Sequence, residues 1–214
     1  MQRKVKKPQI TVKPREVFYQ LKRSRRLGSL DEESIEEILN QAKPHQLTDP
    51  GCLYENFSTA DFEADDLKNA AFKGNVVTVA LATVGDRGLG AALMSGGANQ
   101  DDPRRRVLAG WGEAMLAKLT DFTNGLVEKE AAGESLELGP VYVLDRPDDA
   151  ALIGRLWGRL SPEEKLGVRR ENDPAGSAMP RIDPVLTKMW AVGWLTKKQK
   201  KQLTASLERA APSA

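Results

Sequence analysis

The sequence predicts a mainly α-helical protein with a single helical domain, and two observations lead to that prediction. Apolar residues recur with helical spacing in several segments, and helix caps or stop residues flank most of them. Segments typical of strands are short, so the predicted β element is confined to Val76–Val84 and Pro140–Leu144. Both ends of the chain are basic. We therefore expect a basic N-terminal arm (residues 1–27), a helix-rich body (residues 28–195) and a basic C-terminal helix and tail (residues 196–214).

In the first part of the chain, the arm is expected to be extended. Pro8 and Pro14 restrict the backbone, and the residues between them include β-branched side chains. Apolar spacing and stop residues then predict helices over residues 17–27, 29–43 and 59–73, with Ser29 as the cap of the second. Residues 45–58 have no such pattern, and they are predicted to form a loop.

The remaining elements follow from the same signals. Val76–Val84 is rich in valine and threonine and is expected to be a strand, although a buried helix of this length would have the same pattern. The longest helix is predicted to begin at Asp102-Pro103 and to end at Gly133. Proline or capping residues predict four further helix starts, at Pro147, Pro162, Asp183 and Thr196.

The composition excludes several classes of protein and site. The 214 residues include one cysteine, Cys52, and one histidine, His45, which excludes a disulfide framework and Cys/His zinc sites. We expect neither a metal nor a cofactor. The longest apolar stretch is too short to span a bilayer, and no apolar segment typical of a signal peptide follows the basic start. The expected location is therefore cytoplasmic or virion-associated, without membrane insertion.

Charge is sorted along the chain, although the net charge is only +2. Residues 1–26 contain ten lysines and arginines and one acidic residue, Glu16, whereas residues 27–66 contain eleven acidic residues and one basic residue, Lys43. Long blocks of like charge are typical of interaction segments. The acidic segment Asp31–Asp66 could receive the basic arm of a neighbouring subunit.

Two clusters of cations lie at predicted helix starts, where the helix dipole disfavours positive charge. Arg104, Arg105 and Arg106 follow Asp102-Pro103, and four lysines between residues 197 and 201 follow Thr196. A bound anion would offset this unfavourable placement, because backbone amides and cationic side chains would converge on it. A solvated cationic surface is the alternative interpretation.

These observations predict a non-catalytic structural subunit of a nucleoprotein or virion-like assembly, such as a capsid or nucleocapsid, that self-associates and binds nucleic acid or another polyanion. Residues expected to contact the nucleic acid are the cations of the arm and of the two helix starts: Arg3, Lys4, Lys6, Lys7, Arg23, Arg25, Arg26, Arg104, Arg105, Arg106, Lys197, Lys198, Lys200 and Lys201.

Two other functions fit the sequence. One is a small enzyme that binds a nucleotide or phosphate ester through the glycine-containing loop Gly85–Gly90, with Arg87 or Arg104 as the phosphate ligand. The glycine spacing in this loop matches neither a dinucleotide-binding nor a P-loop motif. The other is a dimeric regulator that contacts nucleic acid through a helix over Val17–Arg26. A polyanion partner is the leading prediction, and no catalytic residue is assigned.

Overall fold

A five-stranded antiparallel sheet lies at the centre of the computed structural model, which describes residues 2–69, 72–94, 102–171, 181–184 and 186–210. The strands are β1 (Gln2–Lys6), β2 (Gly51–Ser58), β3 (Val76–Thr83), β4 (Glu137–Val143), β5 (Arg169–Glu171), β6 (Arg181–Asp183) and β7 (Thr187–Leu195). The order in the sheet is β1-β2-β3-β7-β4, and β5 pairs separately with β6.

Seven α-helices accompany these strands in the described residues. They are α1 (Pro14–Arg23), α2 (Glu32–Ala42), α3 (Leu89–Met94), α4 (Pro103–Gly133), α5 (Ala150–Leu160), α6 (Pro162–Leu166) and α7 (Lys197–Ala210). Short 3-10 turns occupy Pro44–Gln46, Thr59–Asp61, Asp66–Lys68 and Pro147–Asp149. None of the helices in this part of the chain has the length and apolar character needed to cross a membrane.

The sheet separates two hydrophobic clusters. The larger cluster lies between the sheet and α4, with α1 and α2 packed on the far side of α4, and it includes Trp111, Leu119 and Trp190. The smaller cluster lies on the opposite face, where Phe57, Phe62 and several leucines of α5 meet. Because the central strands β3 and β7 are covered on both faces, nearly all of their residues are buried.

The prediction of a mainly α-helical domain with a small β element is wrong, because the sheet is the central layer of the molecule. Val76–Val84 does form a strand, β3, but it is a central strand. Pro140–Leu144 overlaps β4 at the sheet edge. Both strands therefore belong to one larger sheet.

Three local predictions also fail, and for the last of them burial explains the failure. The predicted loop 45–58 contains the whole of β2, and within the predicted helix 59–73 the described residues form 3-10 turns, including Thr59–Asp61 and Asp66–Lys68. The helix predicted to begin at Asp183 is instead the central strand β7. A strand buried on both faces carries apolar residues at consecutive positions, so its sequence satisfies helical spacing as well.

The basic arm is part of this sheet. Residues 2–6 form β1, which pairs with β2 from Gln2↔Glu55 to Lys6↔Gly51. The helix α1 follows, with Val17 and Leu21 fully buried against α4. The division of the chain at residues 27 and 195 stays a prediction, and residues 211–214 of the predicted tail lie outside the described residues.

Candidate functional site

Two arginine-rich segments from distant parts of the sequence lie side by side in the structure. The helices α1 and α4 pack antiparallel, so the end of α1 meets the start of α4. At this crossing Arg106 Nη1 donates a hydrogen bond of 3.3 Å to the carbonyl oxygen of Arg26. We call this region the basic end, and its cations are Lys22, Arg23, Arg25, Arg26, Arg104, Arg105 and Arg106.

A glycine allows the two helices to approach this closely. A Cβ atom at Gly110 of α4 would lie 2.9 Å from Leu21 Cδ2 and 3.3 Å from Val17 Cγ1 on α1. Farther along the crossing, Gln20 Nε2 donates to Glu113 Oε2 at 3.0 Å. Small residues at a helix crossing bring the backbones together, and here they also bring the two cationic segments together.

Most cations of the basic end have no acidic partner in the part of the chain that the structure describes. Arg26 forms an ion pair with Glu113, which is the exception. Lys22, Arg23, Arg25 and Arg104 are exposed. The Nε atom of Arg106 is buried and finds no hydrogen-bond partner among the described residues. Unpaired donors therefore remain available at this end of the molecule.

The start of α4 is capped by its own sequence. The side chain of Asp102 accepts a hydrogen bond of 3.0 Å from the backbone N–H of Arg104, and Pro103 occupies the first turn. The sequence analysis expected backbone amides and cations to converge on one anion. Because the carboxylate of Asp102 already occupies the N–H of Arg104, the side chains of the basic end carry most of its capacity to bind an anion.

The predicted cations at the start of the arm, within residues 3–7, lie elsewhere. Arg3 forms an ion pair of 2.5 Å with Glu130, near the end of α4 that is distant from Arg104. Lys7 is 4.0 Å from Asp49. Lys4 and Lys6 are both exposed on β1. Since 26 residues separate Arg104 from Glu130 on α4 and a helix rises about 1.5 Å per residue, Arg3 lies roughly 40 Å from the basic end along this helix.

The lysines of α7 also lie away from the basic end. Thr196 caps this helix, with its Oγ1 accepting a hydrogen bond of 3.2 Å from the N–H of Gln199, as the sequence predicted. Lys200 forms an ion pair of 3.1 Å with Glu137, which follows the last turn of α4. Lys197, Lys198 and Lys201 are exposed on the same helix. In the structure, the Arg104 cluster therefore lies beside the cations at the end of α1 and away from the lysines of α7.

The glycine loop Gly85–Gly90 has little capacity left for a phosphate. The Asp86 carboxylate accepts hydrogen bonds from the N–H groups of Gly88 and Gly90, at 2.7 and 3.1 Å. The N–H of Arg87 donates to the carbonyl of Leu47, and its side chain pairs with Asp49. The amides that a phosphate would need are therefore already bonded within the protein.

The helix predicted as a nucleic-acid contact of a dimeric regulator is partly buried. It corresponds to α1, which packs against both α2 and α4. Val17 and Leu21 belong to the core, while Lys22 and Arg23 remain exposed. This helix contributes cations to the basic end, but it does not project from the molecule.

Sequence reasoning missed a polar network between the sheet and the second half of α4. Glu130 accepts hydrogen bonds from the Tyr54 hydroxyl at 2.9 Å and from Asn56 Nδ2 at 3.2 Å, in addition to its ion pair with Arg3. Asn56 Oδ1 accepts from Thr78 Oγ1 at 2.7 Å, and Thr78 Oγ1 accepts from Trp194 Nε1 at 2.8 Å. No spacing rule in the sequence links these residues, since they come from five different elements.

Burial raises the pKa values of two side chains of β2, Tyr54 and Cys52. Burial and the neighbouring Glu130 carboxylate raise the pKa of Tyr54 well above that of an ordinary tyrosine. Burial also raises the pKa of the Cys52 thiol, which makes Cys52 a poor nucleophile. Across the described residues, no group of three potential metal ligands comes together.

One cleft has the composition of a small-ligand site. It has a volume of about 520 Å³ and lies between the start of α1, the end of α2 and the first half of α4. Apolar residues, among them Leu39 and Trp111, line it together with a polar group that includes Asn40, His45 and Gln46. Ligand pockets typically combine these two kinds of lining.

Comparison with known proteins gives a fold relationship. No family model matches the chain, and no curated protein matches it. A solved structure titled "Crystal Structure of the MetH Reactivation Domain bound to AdoHcy" matches with a TM-score of 0.57 and 12% sequence identity. The match covers 90% of this chain and 78% of the other. The chain therefore shares an architecture with that domain, and at this identity the likeness concerns the fold alone.

Proposed function

We propose that this chain is a non-catalytic binding protein whose basic end binds a polyanion, with the phosphodiester backbone of a nucleic acid as the ligand class. The observation that carries the proposal is the convergence of two arginine-rich segments, 23–26 and 104–106, at one helix crossing. A single cationic segment is common on protein surfaces. Two such segments, joined by the fold and left mostly unpaired, are typical of an electrostatic binding surface.

The residue type supports this ligand class. Six of the seven cations of the basic end are arginines, whose planar guanidinium groups donate paired hydrogen bonds to phosphate oxygens. Contacts with phosphates carry no sequence information, so binding is expected to be largely independent of base sequence.

Self-association remains part of the proposal. The helix α2 follows the basic end and exposes Glu32, Glu33, Glu36 and Glu37. The described residues include no ion pair to these four carboxylates. Opposite charges on adjacent surfaces favour ordered contacts between copies of the chain. The narrower expectation of a virion-like assembly stays a prediction, and the described contacts do not bear on it.

The test compares two variants in which four cations become glutamine. One carries Arg23→Gln, Arg25→Gln, Arg104→Gln and Arg105→Gln, and the matched control carries the four lysine-to-glutamine changes at positions 197, 198, 200 and 201 of α7. Fluorescence anisotropy with a single-stranded oligonucleotide is measured across a salt series. We expect the basic-end variant to flatten the log–log salt dependence by about 3 units and the control by less than 1. Equal slopes for wild type and the basic-end variant would contradict the proposal.

A second candidate function is binding of an S-adenosyl compound. The matched solved structure, of a domain bound to AdoHcy, supplies the ligand class to test. The cleft beside Trp111 combines apolar side chains with polar ones that could bind the remaining groups of such a compound. Its volume of about 520 Å³ lies within the range of small-molecule sites.

Calorimetric titration with AdoHcy tests this candidate. If the cleft binds the compound, Asn40→Ala weakens binding roughly fivefold, since one hydrogen bond to the ligand is lost. Gln41→Ala, on the same helix but outside this cleft, leaves the affinity unchanged. Titration of wild-type protein without measurable heat at several temperatures would remove this candidate and leave the polyanion proposal untouched.

A further inference from the structure

The N-terminal strand β1 is held by its ladder with β2 and by several side-chain contacts, each of which an identical chain could provide. All five residues of β1 pair with β2 at the edge of the sheet. Beyond the backbone ladder, Gln2 Nε2 donates to the carbonyl of Leu160 at 2.7 Å, and Gln2 Oε1 accepts from Lys165 Nζ. Arg3 pairs with Glu130, and Val5 packs against the larger hydrophobic cluster. Lys4 and Lys6 point to solvent. Among the described residues, no other strand pairs with the outer edge of β1.

The segment that follows β1 is strained. Lys7 has a φ of +51°, the left-handed conformation that residues with a side chain rarely adopt. Pro8 comes next, and proline disfavours helical conformations of the preceding residue because of clashes with its ring. The hydrogen bond of 2.8 Å from the Lys7 N–H to the Pro50 carbonyl holds the chain in this conformation.

Both sides of this strained segment are anchored. On one side lies β1. On the other, Ile10 and Val12 pack against the larger hydrophobic cluster, and Lys118 Nζ donates to the carbonyl of Thr11 at 2.6 Å. Residues 7–9 therefore form a short hinge between two fixed parts. Short hinges under strain favour the exchange of an end segment between identical chains.

From this arrangement we infer that β1 exchanges between two copies of the chain, so that β1 of each protomer pairs with β2 of its partner. The exchanged dimer keeps every contact that β1 makes in the monomer, and it releases the left-handed conformation of both hinges. A hinge of three residues spans about 10 Å at most, so the two hinges lie next to each other across the two-fold axis. This inference gives a structural basis for the self-association in the proposed function, and it is independent of the proposed binding of a polyanion.

The charges of β1 favour exchange over simple edge pairing of two closed monomers. Cations along an edge strand oppose the addition of a second, identical edge. Edge pairing would bring Lys4 and Lys6 of one protomer close to those of its partner. Exchange places the same lysines at the positions that they already occupy in the monomer, and therefore adds no repulsion within the sheet.

The strand register offers a direct test, because Val5 lies opposite Cys52, the one cysteine of the chain. In a Val5→Cys variant, the introduced thiol can form a disulfide with Cys52 across β1 and β2. The protein is equilibrated at low and high concentration, oxidised with diamide, and separated on a non-reducing denaturing gel. Exchange predicts a covalent dimer that increases with protein concentration. An internally crosslinked monomer at every concentration would overturn the inference.

A control separates exchange from edge pairing. In the Val5→Cys, Cys52→Ser double variant, exchange predicts that the covalent dimer disappears, because its bond joins the introduced thiol of one chain to Cys52 of the other. A dimer that persists would join the two introduced thiols to each other and would overturn the inference in favour of edge pairing.

A second measurement does not depend on introduced cysteines. Light scattering after size exclusion is compared for wild type, Lys7→Gly and the matched control Lys13→Gly, whose φ of −87° is unstrained. Glycine at position 7 relieves the closed hinge, so the dimer association constant should fall about tenfold or more, while the control stays near wild type. Equal dimer content in wild type and Lys7→Gly, or a wild type without dimer, would overturn the inference.

Discussion

Charged side chains are mostly unpaired at the start of α4 and paired near its other end. At its start, Arg104 and Arg105 join the cations of α1, and Arg26 with Glu113 is the ion pair that the described residues provide there. Near its other end, Glu130 gathers a hydroxyl, an amide and the Arg3 guanidinium into one hydrogen-bonded network. Beyond that end, Lys200 is paired with Glu137.

This difference indicates where to expect stability and where to expect binding. A satisfied polar network holds the elements together, and removing one member leaves buried groups without partners. An unpaired cationic surface adds little to folding, and its interactions remain available for a ligand. We therefore expect changes near Glu130 to alter stability alone, and changes at the basic end to alter binding with little effect on stability.

The largest expected effect lies in the network. Glu130→Ala leaves the Tyr54 hydroxyl and Asn56 amide without their acceptor, so the free energy of unfolding should fall by about 3 kcal/mol. Urea unfolding measures this loss. Glu137→Ala removes an exposed ion pair at the same end and should cost less than about 1 kcal/mol. Comparable losses from both variants would show that the network is not the stabilising feature.

The next effect concerns the helix crossing that forms the basic end. Gly110→Val places side-chain atoms within 3 Å of Leu21, so α1 must shift, with an expected loss of about 2 kcal/mol in unfolding free energy and weaker polyanion binding. The matched control is Gly125→Ala on the same helix, where no atom lies within 4 Å of the added Cβ. That change should stabilise the protein by about 0.5–1 kcal/mol. Unchanged binding by folded Gly110→Val would mean that the crossing does not organise the site.

A pH series tests the contribution of the Tyr54 hydroxyl to stability near Glu130. The pKa of Tyr54 is raised in the folded state, so the folded chain keeps a proton that the unfolded chain loses above its ordinary pKa of about 10. The stabilisation is complete below that pH, and the free energy of unfolding should fall by up to about 1.4 kcal/mol per pH unit above it. Unfolding measurements between pH 9 and about 11.5 should show a shallower fall for Tyr54→Phe. Parallel curves for the two proteins would contradict this assignment.

The smallest expected effect lies at the cap of α4. Asp102→Asn keeps the side-chain acceptor for the Arg104 N–H and removes one negative charge beside the basic end. Stability should change by a few tenths of a kcal/mol, and polyanion affinity at low salt should rise about twofold. An affinity that falls in this variant would indicate that Asp102 takes part in binding.

The sequence predicted some elements well and others poorly, for a physical reason. The helix start at Asp102-Pro103 and the cap at Thr196 are local signals, and both are confirmed. The sequence of β7 predicts a helix, because burial on both faces places apolar residues at consecutive positions, which also satisfy helical spacing. The strand β2 lies in a segment predicted to be a loop, since its pairing with β3 depends on distant residues.

In the candidate site, too, one part could be predicted from the sequence and another could not. Composition identified the arginines at 23–26 and 104–106 separately, but the antiparallel packing of α1 on α4 joins them, and that packing depends on contacts such as Gly110 against Leu21. The Glu130 network has no sequence signal, because its members are brought together only when the sheet and α4 form. The charged segments are therefore predictable from the sequence, whereas the packing that brings them together is not.

The most direct test of the account asks whether both halves of the basic end contact the same polyanion. The salt dependence of oligonucleotide binding is measured for Arg23→Gln with Arg25→Gln, for Arg104→Gln with Arg105→Gln, and for all four changes together. We predict that each pair lowers the slope by about 1.4 units on single strands, and that the four changes together lower it by about 2.8. A slope that depends on one pair alone, or on neither, would contradict a binding surface built from both helices.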